Sequence, residues 1–147
     1  MGSTFLSLHY HIVFSTKERR PLIKTAWRSQ LHEYMGGTVR GLGAIPEIIG
    51  GVEDHVHLLV GLRATHNLAD FMRELKKASS NWTSENHDKI FAWQDGYAAF
   101  TVSWTHLEVV RQYIATQEEH HRKIDFVAEL RGLLEKNGVK YEEKYLL

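Results

Sequence analysis

The chain of 147 residues contains no cysteine, which excludes disulfides, cysteine-ligated zinc and thiol catalysis. That absence fits a reducing compartment, and a bacterial cytoplasm is the expected setting. No apolar run approaches the roughly 20 residues a membrane-spanning helix requires. The N-terminus also lacks a basic segment followed by an apolar one, so neither export nor a membrane partner is expected. Net charge is missing too: 18 Lys and Arg balance 18 Asp and Glu. The composition therefore announces no polyanion partner in the way a strongly basic domain does.

What is present suits one ordinary domain with a core of its own, spanning 1–147. Phe5 to Thr16 is rich in β-branched and aromatic residues and predicts a strand, with Tyr10, Ile12 and Phe14 on one parity and His9, His11 and Val13 on the other. Thr25 is the expected N-cap of an amphipathic helix through Trp27, Leu31, Tyr34 and Met35, which should stop near Gly41 and Gly43. Ile45 to Val52 and His55 to Leu62 predict two further strands, joined as a hairpin across Glu53-Asp54. Asn67 should cap a second helix running towards Asn86, and Tyr97 to Ser103 alternates as a fourth strand. Thr105, with Glu108 three residues on, predicts a capping box for a helix towards His121. Asp125 to Glu135 is a further short helix ended by Asn137-Gly138, so that 125–147 forms a helical extension. The order strand, helix, strand, strand, helix, strand predicts a ferredoxin-like α+β fold: an antiparallel four-stranded sheet with helices on one face and appended C-terminal helices.

Two short motifs carry the chemistry. In a strand alternate side chains share a face, so His55 and His57 can offer imidazole nitrogens to one ion. Ten histidines make His-x-His pairs unsurprising, and His9-Tyr10-His11 is a second one. The location of His55-Val56-His57 inside an apolar run sets it apart, because buried imidazoles need a metal or a hydrogen-bond partner. In a helix residues four apart share a face, which brings Tyr113 and Gln117 together. Taken singly, Tyr113 reads as a half-buried helix tyrosine and Gln117 as a surface residue. Two nitrogen ligands, a neutral oxygen ligand and a phenol nucleophile together suit the breaking of a phosphodiester. Imidazole with an amide oxygen fits Mg²⁺ or Mn²⁺, and zinc is compatible with the nitrogens.

Around these motifs, Lys17, Arg19, Arg20, Lys24 and Arg28 stand against Glu18 alone, and Arg73, Lys76 and Lys77 surround Glu74. Both clusters can grip phosphates, although each by itself also reads as a solvated face. His121, four residues beyond Gln117, can reach either a DNA phosphate or the site.

The sequence resembles the single-tyrosine transposases of bacterial insertion sequences, including REP-associated relatives, within the wider HUH endonuclease class. The resemblance is carried by Tyr10-His11-Ile12-Val13-Phe14-Ser15-Thr16-Lys17, Gly51-Val52-Glu53-Asp54-His55-Val56-His57-Leu58-Leu59, Trp93-Gln94-Asp95-Gly96-Tyr97 and Tyr113-Ile114-Ala115-Thr116-Gln117. It implies that His55, His57 and Gln117 bind a divalent ion, Mg²⁺ or Mn²⁺, and that Tyr113 is the nucleophile. Such a tyrosine attacks single-stranded DNA, leaving a 5′-phosphotyrosine and a free 3′-hydroxyl that later rejoins strands. The resemblance further implies DNA hairpins as ligands and a homodimer with joined sheets, whose active sites can be shared between subunits. The candidate DNA contacts are Lys17, Arg19, Arg20, Arg73, Lys76, Lys77 and His121, with Trp82 or Trp93 able to stack on a base. Two other classes stay open: a non-catalytic module that binds DNA or RNA hairpins, and a structural metal site serving oligomerisation.

Overall fold

A computed structural model describes residues 2–146; Met1 and Leu147, the ends of the expected domain, lie outside the described residues. The strands are β1 (His9–Ser15), β2 (Ile45–Gly51), β3 (His55–Gly61) and β4 (Ala98–Val102). They form one antiparallel sheet in the order β2-β3-β1-β4. Helices α1 (Thr25–Gly41) and α2 (Leu68–Asn86) fill the two crossovers, which makes the arrangement ferredoxin-like as expected. Three further helices follow: α3 (Leu107–Ala115), α4 (Gln117–His120) and α5 (Phe126–Lys136).

The alternation of side chains along the strands divides the protein into two layers. Ile12, Phe14, Val56, Leu58 and Val60 point to one face and pack against Leu31 and Met35 of α1 and Phe71 and Leu75 of α2. The opposite face carries His11, Val13, His55, His57, Leu59 and Phe100. The appended helices cover it, α3 through Leu107 and Ile114, and α5 through Phe126 and Leu134. The sheet is thus buried on both sides at β3, every residue of which is buried. The approach of α3 depends on Gly50, where a Cβ would lie 2.6 Å from the Ile114 carbonyl oxygen.

Helix starts differ from the sequence expectation in two places. Asn67 caps α2 by accepting from the Asp70 amide, and Asp125 caps α5 by accepting from the Ala128 amide. Thr25, by contrast, is already helical, and Lys24 stands at the cap position without a side-chain bond. The capping box at Thr105 does not form either: Trp104–His106 makes a 3-10 turn, Thr105 pairs with the Ser103 hydroxyl, and Glu108 turns to Arg111 and Gln112. Short polar side chains bond to whichever neighbour the chain geometry offers, and here that neighbour lies outside the helix. The helix expected to run on to His121 breaks at Thr116 (φ −108, ψ 26), whose hydroxyl donates back to the Gln112 carbonyl.

Candidate active site

His55 and His57 lie on the inner β3 face under the C-terminal helices, and both are fully buried. Each ring is oriented from behind. His55 Nδ1 is 2.7 Å from Asp54 Oδ1, and His57 Nδ1 is 2.8 Å from His11 Nε2. With Nδ1 held by its partner, each ring turns Nε2 forward, the usual posture of a ligating histidine. His11 plays this part as a neutral ring, since burial first and His57 second push its pKa down to about 3, against the pull of Glu129. His11, on the neighbouring strand, is therefore the support of His57.

In front of both Nε2 atoms sits Glu129 of α5. Its Oε1 is 2.9 Å from His57 Nε2, 3.0 Å from His121 Nε2 and 3.3 Å from His55 Nε2. The other oxygen, Oε2, accepts hydrogen bonds from the Tyr113 phenol and from the Gln117 amide, the latter at 3.0 Å. Gln117 Oε1 lies 3.1 Å from His55 Nε2. The four residues proposed from the sequence thus meet around one carboxylate, which the sequence reading did not single out. A signal for it existed. Phe126, Leu130, Leu133 and Leu134 mark the buried stripe of α5, and Glu129 interrupts that stripe with a charge that must have partners inside.

The electrostatics follow from burial opposed by close pairing. Burial penalises the ionised carboxylate of Glu129, but hydrogen bonds from His121, His55 and His57 outweigh it and hold the group far below the carboxylate range. His55 loses charge stability to burial yet is pushed up to about 9 by Asp54 and Glu129. His57, wholly buried, is shifted down. Burial, and then Glu129, raise the Tyr113 phenol well above its ordinary value, so it is protonated at rest.

This donor set fits a divalent metal. His55, His57, His121 and Glu129 each offer one ligand atom, a ring nitrogen or a carboxylate oxygen, and these atoms all lie within 4.8 Å of one another. Imidazole nitrogens with an anionic oxygen are common ligands of divalent transition ions.

The candidate DNA contacts fall at the same end of the sheet or on the far layer. Lys17, Arg19 and Arg20 occupy the turn after β1, where the Thr16 amide donates to the Asp54 carbonyl and so ties the turn to the residue supporting His55. Glu18 and Arg19 hold left-handed backbone, with φ of 57 and 54. On α2, Arg73 pairs with Asp70 and Glu74, and Lys77 is exposed. Lys76 is engaged structurally, donating to the Gln94 and Gly96 carbonyls at 2.7 and 2.8 Å. The Glu18 amide donates to the Gln94 side chain, so both basic segments converge on one loop. His121 is 10% exposed at its side chain and faces Glu129. Trp93 is buried in the core with its indole N–H on Ser79, and Trp82 stacks on Tyr34.

Among the described residues, no helix is long and apolar enough to cross a membrane. The family model for IS200-like transposases matches residues 4–117. No curated protein matches the chain. Among solved structures it is similar to a candidate transposase from Deinococcus radiodurans, at 24% identity over 80% of this chain and 96% of that one, with a TM-score of 0.64. It is also similar to a REP-associated tyrosine transposase bound to a REP hairpin, at 13% identity over 84% of this chain and 74% of that one, with a TM-score of 0.62. At these identities the likenesses establish the fold.

Proposed function

The chain belongs to the IS200-like transposase family, and from that premise we propose that it cleaves and rejoins single-stranded DNA through a 5′-phosphotyrosine on Tyr113, with a divalent metal ion beside His55 and His57. One observation carries the reading. The Tyr113 phenol and the two histidines engage opposite oxygens of the same carboxylate. A phosphate is likewise an anion with several oxygens on one centre, so a single DNA phosphate set there meets nucleophile and imidazoles at once.

In the proposed reaction Tyr113 gives up its proton to solvent and its oxygen attacks the phosphorus. The bond from phosphorus to the 3′-oxygen breaks, and the departing oxygen takes a proton from solvent to become a 3′-hydroxyl. The reverse attack by a 3′-hydroxyl on the phosphotyrosine rejoins the strand without an external energy source. A bound divalent ion supplies positive charge that polarises a non-bridging phosphate oxygen and eases departure of the 3′-oxygen. His55 and His57 would hold it, steadied by Asp54 and His11, and Gln117 and Glu129 would offer oxygen to the same space. Tyr113 is kept neutral at rest by burial and by Glu129, so the nucleophile is released only when substrate or ion alters its partners.

Tyr113 and the histidines meet within one chain, which supports assembly of each site from a single subunit. A homodimer with joined sheets remains part of the proposal as an assembly of two such sites. The substrate proposed is single-stranded DNA carrying a hairpin, supported by the hairpin-bound structure the fold resembles. Lys17, Arg19, Arg20, Arg73, Lys76 and Lys77 are its proposed phosphate contacts, while His121 faces Glu129 beside the proposed metal ligands. We read 1–147 as one catalytic domain acting in the cytoplasm.

Labelled hairpin oligonucleotides with single-stranded flanks, incubated with Mn²⁺ and run on a denaturing gel, test the reading. The protein should form a covalent DNA adduct, and Tyr113→Phe should lose it while still binding the hairpin. An adduct surviving Tyr113→Phe, or none with the unaltered protein, overturns it.

A further inference from the structure

We propose that the metal centre of this chain is a three-histidine, one-carboxylate site. In it His121 and Glu129 join His55 and His57 as ligands, and the site takes a first-row transition ion in preference to Mg²⁺. This rests on the metal-dependent reading above but concerns which residues hold the ion and which ion they choose.

Three observations lead to it. First, the four ligand atoms form a compact group in which Glu129 Oε1 touches all three Nε2 atoms at 2.9–3.3 Å. A tetrahedral ion about 2.1 Å from each donor needs them roughly 3.4 Å apart, and the four atoms already lie within 4.8 Å of one another, so side-chain adjustment around the ion brings them into range. Second, the Nδ1 atoms of His55 and His57 are already occupied by Asp54 and His11, the outer partners that aim a ligating imidazole. Third, the Gln117 amide donates to Glu129 Oε2 and so orients the carboxylate, which makes Gln117 a positioning residue for it.

The chemistry of the set decides the ion. Mg²⁺ favours oxygen and holds its waters tightly, whereas imidazole suits Mn²⁺, Co²⁺ or Zn²⁺. Three neutral nitrogens and one negative oxygen suit the latter group. Position adds a consequence. The family match ends at residue 117, while His121 follows α4 and Glu129 lies on α5. An ion bound by all four residues ties the C-terminal helices to the sheet, so metal binding and the docking of α5 are one event.

Mn²⁺ binding to the chelator-stripped full chain, measured by calorimetry and by the resonance signal of free Mn²⁺, tests this without DNA. Glu129→Gln and His121→Asn should each weaken Mn²⁺ binding about tenfold or more. Mg²⁺ in tenfold excess should not displace Mn²⁺, and Mn²⁺ should slow hydrogen exchange of the α5 amides. Circular dichroism establishes that each variant is folded. If Glu129→Gln does not fold, His121→Asn and the exchange measurement on the unaltered chain decide. Binding within twofold in both variants, ready displacement by Mg²⁺, unchanged exchange in α5, or a larger loss from Gln117→Ala than from Glu129→Gln overturns the assignment. The adduct assay run beside it keeps the two readings apart. Adducts with unaffected Mn²⁺ binding in the variants defeat only the ligand set, and the expected binding without adducts defeats only the reaction.

Discussion

The phenol of Tyr113 donates to the carboxylate of Glu129, sixteen residues further along the chain and on a different helix. Through that bond the proposed nucleophile shares one anion with His55, His57 and His121. A carboxylate buried among so many donors is stable only as a set, because removing one partner leaves the rest uncompensated. The site is therefore strongly coupled, and single substitutions in it should act on more than the residue replaced.

The fit of α3 over the sheet depends on one missing methyl group. A Cβ at Gly50 would press on the Ile114 carbonyl, a backbone atom that cannot swing aside. Gly50→Ala should lower stability by about 1–3 kcal/mol in urea melts. The displaced helix carries Tyr113, so adduct formation should fall by roughly 100-fold, the scale expected for an ångström of misplacement. Full stability together with full adduct yield would show that α3 does not rest there.

Support from behind should matter as much as the ligands. Asp54 holds the Nδ1 side of His55. Asp54→Asn should therefore weaken Mn²⁺ binding by about 10–100-fold while leaving the circular dichroism spectrum unchanged. Higher Mn²⁺ should restore adduct formation, and an affinity equal to that of the unaltered chain would remove Asp54 from the site.

Without metal, stability should carry a signature of His55. Burial works against its charged form, but the hydrogen bonds to Asp54 and Glu129 raise its pKa from 6.5 to about 9. The folded state thus holds a proton that the unfolded chain releases. The stabilisation is complete below pH 6.5 and is lost as pH rises to about 9, with a slope of at most about 1.4 kcal/mol per pH unit. His11, lowered to about 3, acts only on the acid side. Urea melts with chelator across this alkaline range should show the slope, and His55→Asn should abolish it. An identical slope in the variant would assign it elsewhere.

The basic turn after β1 and the outer face of α2 should contribute to DNA binding through phosphate contacts. Lys17, Arg20 and Lys77 are exposed at these places, whereas Lys76 also holds the loop at Gln94 and Gly96. Replacing the first three together by Ala should reduce the dependence of log affinity on log salt by about 2, at roughly 0.7 per phosphate on a single strand. An unchanged slope would place the DNA elsewhere.

The sequence by itself determined the order of strands and helices, the pairing of His55 with His57 on one strand face, and the spacing that lets Tyr113 and Gln117 point together. All of these are local: they follow from periods of two and 3.6 residues and from the burial of apolar side chains. The family resemblance was legible for the same reason, being written in short contiguous stretches. Only the tertiary structure decided that α3 and α5 cover the second face of the sheet, that His11 backs His57, and that Glu129 stands at the centre of the site. Those contacts join distant parts of the chain, His57 and Glu129 lying 72 positions apart, and no periodicity links a helix-stripe glutamate to a strand histidine until packing brings them together. The helix break at Thr116 and the unused caps at Thr25 and Thr105 belong with them, since short polar side chains choose among local partners that only the folded backbone makes available.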